Sequence, residues 1–307
     1  MEFNNLLNKK KRGFAGITHV LISFVTFEIL WLFPIFGFIT NTVKASTMIF
    51  IISYWFCVAG SALLPDLDGN ESSAGYTLGF LGKLLHIFMV ATSSLVYNIL
   101  HTKKDAAKQK QRLDKSNMQH RMFWHTPISV ALLFFYCYFC YKSVIDQDTL
   151  WGMLKSKNFN PQKIFSFVFI DMMVVMSFML ASSKLFYNIG RVLLKKVMKY
   201  VDIILVVAFT IFIFFKGTPG YVFQLCTGVA LGVLFHIIPG DICSKGSVPL
   251  FFPVPVKKQF WFKPKLPFQL ETNGTANRIL DLVLFVVSIV LMIIIVKGKD
   301  VFLNLIR

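Results

Sequence analysis

The sequence predicts an all-α, polytopic helical membrane protein, with about seven transmembrane helices plus one interfacial or re-entrant segment over residues 77–100. Three observations predict it: the composition, the length of the apolar runs, and the side of the membrane to which those runs assign the positive charges. The 307 residues are 55% hydrophobic and 16% aromatic, with 34 Phe and only 15% charged residues. A soluble domain carries roughly 25% charged residues, so this composition excludes an ordinary cytosolic enzyme, a disordered chain and a disulfide scaffold. The net charge of +17 suits basic loops lying against anionic lipid. It also raises nucleic acid as a partner, but no recognition motif supports that.

A helix needs ~20 mostly apolar residues to cross a bilayer. Runs of about that size lie at about 18–39, 46–64, 127–145, 164–190, 200–215, 220–238 and 279–296. Lys9, Lys10, Lys11 and Arg12 precede the first run, which is too long for a signal peptide and ends without a small-residue cleavage site. It therefore reads as a retained first span with the N-terminus inside. The stretch 77–100 is more polar, with Gly79, Gly82, Lys83, His86, Ser93, Ser94 and Asn98. If it does not cross, 22 of the 32 Lys and Arg fall on the inner side. If it crosses, the loop with Lys103, Lys104, Lys108, Lys110, Arg112 and Lys115 faces outward. The expected organisation is one domain over 1–307, with a two-span insertion at 146–219 and a cytoplasmic Pro- and aromatic-rich loop at 240–278. Cys137 and Cys140 have CxxC spacing but sit in an apolar run, where Cys packs as a small hydrophobe.

Ionisable groups near membrane depth are costly, which makes each a functional candidate. Four clusters stand out: Thr18-His19, Pro65-Asp66-Leu67-Asp68, His120-Arg121 through His125-Thr126-Pro127, and His236 with Pro239-Gly240-Asp241. With seven spans, all four lie at one membrane face, although the charge count did not require that agreement. Taken singly, a His at a helix end is usually a satisfied interfacial residue, and an Asp after Pro is usually a turn. An extended chain after Pro65 would place Asp66 and Asp68 on one side. Thr126-Pro127 reads as an N-cap with proline at the first helical position, and Pro239-Gly240 reads as the end of the helix that carries His236. His19, Asp66, Asp68, His120, His125, His236 and Asp241 suit one or two divalent cations. Imidazole with carboxylate favours zinc; manganese and iron are alternatives.

In this order, the clusters resemble the YdjM-like family of LexA-regulated, membrane-bound, metal-dependent hydrolases, which is distantly similar to zinc-dependent phospholipase C. The matching residues are His19, Leu64-Pro65-Asp66-Leu67-Asp68 with Ser72, His120-Arg121 through His125-Thr126, and His236 with Asp241. They continue with Gly246-Ser-Val-Pro249-Leu-Phe-Phe-Pro253 and Asn277-Arg278. Three features depart from the family pattern. Gly69 replaces a His, Met122-Phe123-Trp124 replace smaller residues, and the His236–Asp241 gap is one residue longer than His-x-x-x-Asp.

The resemblance implies phosphoester hydrolysis in the bacterial cytoplasmic (inner) membrane. Asp68 or Asp66 would serve as general base and Arg121 would pair with a phosphate oxygen. A site at the lipid–water boundary favours a lipid or lipid-linked phosphate as substrate, with anionic membrane lipids as the expected partners. Two other readings stand beside this one. One is a small-solute transporter using Glu28, Asp171 and Lys184; the other is a non-catalytic protein with a structural metal site.

Overall fold

A chain in hydrocarbon must satisfy its peptide groups within each segment, so even runs rich in Phe, Val and Ile form helices. The computed structural model describes residues 16–32, 48–68, 73–100, 123–156, 160–192, 195–241 and 275–297, and every regular element among them is helical. The nine α-helices are α1 Gly16–Leu32, α2 Met48–Ser61, α3 Ser73–Leu100, α4 Pro127–Val144, α5 Leu150–Lys155, α6 Pro161–Val192, α7 Lys195–Lys216, α8 Pro219–Phe235 and α9 Thr275–Lys297. Two 3-10 turns, Pro65–Asp68 and Phe123–His125, and a π-turn, His236–Asp241, complete the described elements.

By length and apolarity, four described stretches can cross a membrane: Thr77–Val96, Pro127–Val144, Pro161–Phe186 and Pro219–Asp241. The sequence led us to expect about seven. Ile17–Ile29 and Ile279–Ile295 are shorter apolar helices. The 14 residues of α2 rise only ~21 Å. Thr77–Val96, expected to lie along the interface, is itself long enough to cross.

Helix α2 packs closely on α6 and α8, because glycine lets the helices approach backbone to backbone. Gly60 abuts the Ser177 carbonyl of α6; Gly232 of α8 abuts the Val58 carbonyl and Ser61 of α2. A Cβ at Gly228 would lie 3.2 Å from the Tyr54 ring. These contacts fix directions. Cys57 donates to the Val174 carbonyl at 3.8 Å, and Gly60 meets Ser177, so α2 and α6 run parallel. Tyr54 meets Gly228 and Val58 meets Gly232, so α8 is parallel to α2 as well. Helix α4 runs the other way along α8: Phe134, Tyr138 and Tyr141 pack on Phe223, while His125 meets His236.

Helices α1 and α9 run parallel through two hydrogen bonds. Thr18 donates to Asp281 at 2.7 Å and Ser288 donates to Glu28 at 2.9 Å. Asp202 and Asp281 each stand near the start of an apolar run. Their helices start earlier, at Thr275 and Lys195, so neither carboxylate lies in a first turn. The starts of α1, α4 and α9 thus share one end of the bundle with the ends of α2, α6 and α8.

Helix α3 is kinked at Gly79, whose φ of 59° is in the left-handed region. Its middle is tied to both 3-10 turns. His86 Nδ1 donates to the Leu67 carbonyl at 2.6 Å. Trp124 Nε1 donates to the Met89 carbonyl at 3.1 Å and to the Thr92 hydroxyl at 2.9 Å. The outward side of α3 exposes Phe80, Ile87, Phe88 and Ile99, and α7 and α9 likewise expose Ile204 and Leu282. Apolar faces this extensive suit lipid. Cys57, Cys137, Cys140 and Cys226 are buried and unbridged.

Candidate metal centre

Each site residue is placed by a local break in a helix. Pro65 follows α2 and the chain tightens into a 3-10 turn, not the extended strand expected. At three residues per turn, Asp66 and Asp68 point different ways. Asp66 Oδ1 faces His236 Nε2 at 3.8 Å, and Asp68 Oδ1 faces His125 Nε2 at 3.5 Å. His125 ends the second 3-10 turn. Thr126 stands at the N-cap of α4 with Pro127 at its first position, but the Thr126 hydroxyl donates back to the Phe123 carbonyl at 2.8 Å. Ser129 reinforces the turn by donating to Thr126 and Trp124 carbonyls.

At the end of α8 the helix widens instead of stopping. Pro239 has no N–H for the carbonyl four residues back, and the chain continues to Asp241 as a π-turn. In an α-helix, residues five apart diverge by ~140°. The wider turn aligns them: His236 Nε2 lies 3.1 Å from Asp241 Oδ2. Gly240 lets the His19 ring in, since a Cβ there would lie 2.6 Å from His19 Nδ1. The His19 and His236 rings stack with centroids 4.1 Å apart.

The result is a set of three imidazoles and three carboxylates, all buried but Asp66. His125 Nδ1 lies 2.6 Å from Asp241 Oδ2 and 3.2 Å from His236 Nε2. Two triads, His19–Asp66–His236 and His125–His236–Asp241, each place one donor atom per residue within 4.8 Å of the others, and they share His236. Four donors about 2.1 Å from a tetrahedral zinc lie about 3.4 Å apart. The edges of 3.1 and 3.2 Å are close to that spacing, and the 2.6 Å edge is a His125–Asp241 hydrogen bond that would open on loading. These residues therefore fit a divalent cation in donor chemistry and, with that one adjustment, in geometry. Burial pushes the His125 pKa down, but the Asp241 and Asp68 carboxylates outweigh it and hold the imidazole up at about 10. Without a cation, His125 is an imidazolium clasped between two acids.

Six of the expected ligands, His19, Asp66, Asp68, His125, His236 and Asp241, therefore meet at one end of the bundle. His120 and Arg121 lie outside the described residues, as do Gly69, Ser72, the loop 103–115, and residues 242–274 of the expected 240–278 loop. The transporter residues do not share a location. Glu28 bonds to Ser288, Asp171 is buried near Cys226, and Lys184 interacts electrostatically with Asp66.

Sequence reasoning gave His86 and Trp124 no role in holding the site, yet they pin the two 3-10 turns; it gave Gly240 a part in ending the helix but not in admitting His19. The available signal was a Trp wedged between two clustered His residues. Nothing in the sequence marks Lys184 as a neighbour of Asp66.

No curated protein and no solved structure matches the chain. The family model of the YdjM inner membrane protein matches residues 14–187, more than half of the chain. The match takes in His19, Asp66, Asp68 and His125 and stops before His236 and Asp241. On that match, the chain belongs to the YdjM inner membrane protein family.

Proposed function

We propose that this protein is a membrane-embedded, metal-dependent hydrolase that cleaves a phosphoester of a lipid or lipid-linked substrate at the cytoplasmic membrane face. The observation that carries the reading is the buried His/Asp cluster at one end of an apolar helical bundle, with three donor atoms 2.6–3.2 Å apart. Zinc is the favoured cation for a set rich in imidazole.

The helix directions support seven crossings with the N-terminus inside and α3 lying along the inner face. His86 to Thr92, the middle of α3, are level with the ligand turns. A helix crossing from that end would have only its first turns there.

A divalent cation bound here would supply the acidification of a water and the polarisation of a phosphoryl oxygen. The chain's residues do the rest. His19, Asp66, His125, His236 and Asp241 would hold the cation, and Asp68 orients His125 through Nε2. Asp66, at 23% side-chain exposure, is the carboxylate open enough to take a proton from an incoming water. In this reading His120 and Arg121 complete the set, with Arg121 pairing with a phosphate oxygen.

The test is hydrolysis of a phosphodiester reporter by zinc-loaded full-length protein. Turnover should be lost in His125→Ala and Asp68→Ala proteins that retain the wild-type helical circular dichroism. Turnover that persists in both variants removes the reading.

One observation favours a second reading, a non-catalytic structural metal. The side chains of His125, His236 and Asp241 are 0% exposed and that of Asp68 is 1% exposed. Under that reading, chelation unfolds the bundle and no phosphoester is cleaved.

A further inference from the structure

Helix α6 brings a lysine to the Asp66 side of the cluster. It runs parallel to α2, with Val174 beside Cys57 and Ser177 beside Gly60. The Ala181 amide also lies against Gly60, and Lys184 follows it by about one turn of α6, on the side of α2 that leads into the Pro65–Asp68 turn. Its ammonium interacts with the Asp66 carboxylate. The ligand side chains are not equally accessible. Asp66 is 23% exposed, Asp68 1%, and His125, His236 and Asp241 are closed to solvent. His19 is 1% exposed as a residue. A molecule approaching the cluster therefore meets Asp66 first, with Lys184 beside it.

We propose that Lys184 is the docking cation for the phosphate oxyanion of the substrate, engaged once a divalent cation has drawn on Asp66. The proposal rests on the phosphoester reading above and names the residue that selects the anion. A lysine at membrane depth needs a counter-charge. Asp66 supplies it while the site holds no cation. A cation that claims the Asp66 carboxylate weakens that pairing and leaves the ammonium's compact charge and three donors to an anion. Binding is thereby ordered, with the cation first and the phosphate second.

The experiment uses full-length protein in detergent, metal-free or zinc-loaded, titrated calorimetrically with inorganic phosphate and separately with short-chain phosphatidic acid. The zinc-loaded wild type should bind at least one of the two, and the metal-free protein neither. Lys184→Met should weaken that binding roughly tenfold or more, the scale of a charge-assisted hydrogen bond, while Lys184→Arg retains most of it. Binding of phosphatidic acid alone identifies a lipid headgroup as the source of the oxyanion. Binding of both identifies the phosphate group itself.

Three results overturn the proposal: no binding to zinc-loaded wild type, equal affinity in Lys184→Met, or equal loss in Met and Arg variants with normal zinc content. If Lys184→Met does not fold, Lys184→Gln takes its place. Phosphodiester turnover by wild type separates the two claims. Lys184-dependent phosphate binding without turnover sinks hydrolysis alone, and turnover with an unchanged KM in Lys184→Met sinks only the role of Lys184.

Discussion

The Pro65–Asp68 turn and the His236–Asp241 turn depart from the α-helix in opposite directions. The first is overwound, and its two acids diverge to serve two different histidines, Asp66 facing His236 and Asp68 facing His125. The second is underwound, and it brings a histidine and an acid five residues apart onto one side, 3.1 Å from each other. The difference teaches how one site can draw on segments with unrelated spacing. Helix pitch is adjusted locally until the donors agree, and proline makes both adjustments possible. It also accounts for the residue by which His236–Asp241 exceeds the four-residue spacing. An α-turn aligns residues four apart and a π-turn aligns residues five apart, so the extra residue is absorbed without moving Asp241 off the site.

The largest expected effect separates the two turns. His236 belongs to both donor triads, whereas Asp66 belongs to one and sits at the edge. His236→Ala should weaken zinc binding roughly a thousandfold or more, about 4 kcal/mol. Asp66→Asn should weaken it only about tenfold. Competition with a chelator of known affinity measures both, and equal losses would mean the two turns contribute alike.

The next effect comes from Gly240. A methyl group there would press on His19 Nδ1 at 2.6 Å, so Gly240→Ala should displace that ring and weaken zinc binding by about tenfold with the helices intact. Unchanged affinity would show that His19 is not a ligand.

The pH dependence comes third. His125 is held at about 10 against its ordinary 6.5, so the site releases a proton as it takes a cation. Apparent zinc affinity should rise by up to about tenfold per pH unit between about pH 6 and 8. The metal-free fold carries the opposite dependence. A raised histidine pKa contributes stability that is fully present below 6.5 and lost as pH climbs toward about 10. Titrations at three pH values check the first, and thermal unfolding of metal-free protein checks the second. A flat affinity profile contradicts the clasped imidazolium.

The smallest effect lies in the support of the first half of the site. Trp124→Phe keeps the ring but removes the two indole hydrogen bonds to α3. It should cost about 1 kcal/mol in thermal stability and leave zinc content unchanged. A loss of zinc would move Trp124 from support to site.

Much of this architecture is written in the sequence as a contradiction. His19, Asp66, Asp68, His125, His236 and Asp241 are polar groups at the ends of apolar runs, and the alternation of those runs, with 77–100 not crossing, predicts that they share one face. Their meeting follows from helix direction, which charge sidedness encodes. Helix pitch is less legible. Pro65 signals a break but leaves extended chain and 3-10 turn open, and Pro239-Gly240 resembles a helix stop as much as a π-turn. The choice is made by tertiary contacts, by His86 holding the Leu67 carbonyl and by Gly240 receiving His19. The neighbour of Lys184 was illegible for a related reason. Its register against Asp66 depends on Gly60 letting α6 close on α2, and a close backbone approach leaves no pattern of its own in one chain. Residues 77–100 are the hardest case. Their composition suits crossing and lying flat equally, and beyond charge sidedness it is His86 and Trp124, single side chains without periodicity, that tie them to the ligand turns.

X-ray absorption at the zinc edge of the purified, zinc-loaded full chain reads the ligands of the His/Asp cluster themselves. The expected spectrum has only nitrogen and oxygen in the inner shell, at about 2.0–2.2 Å, with imidazole scattering from at least two rings. That scattering should vanish in His236→Ala. Sulfur at about 2.3 Å would assign the cation to the buried cysteines instead, and a chain that retains no zinc after dialysis would contradict the metal centre itself.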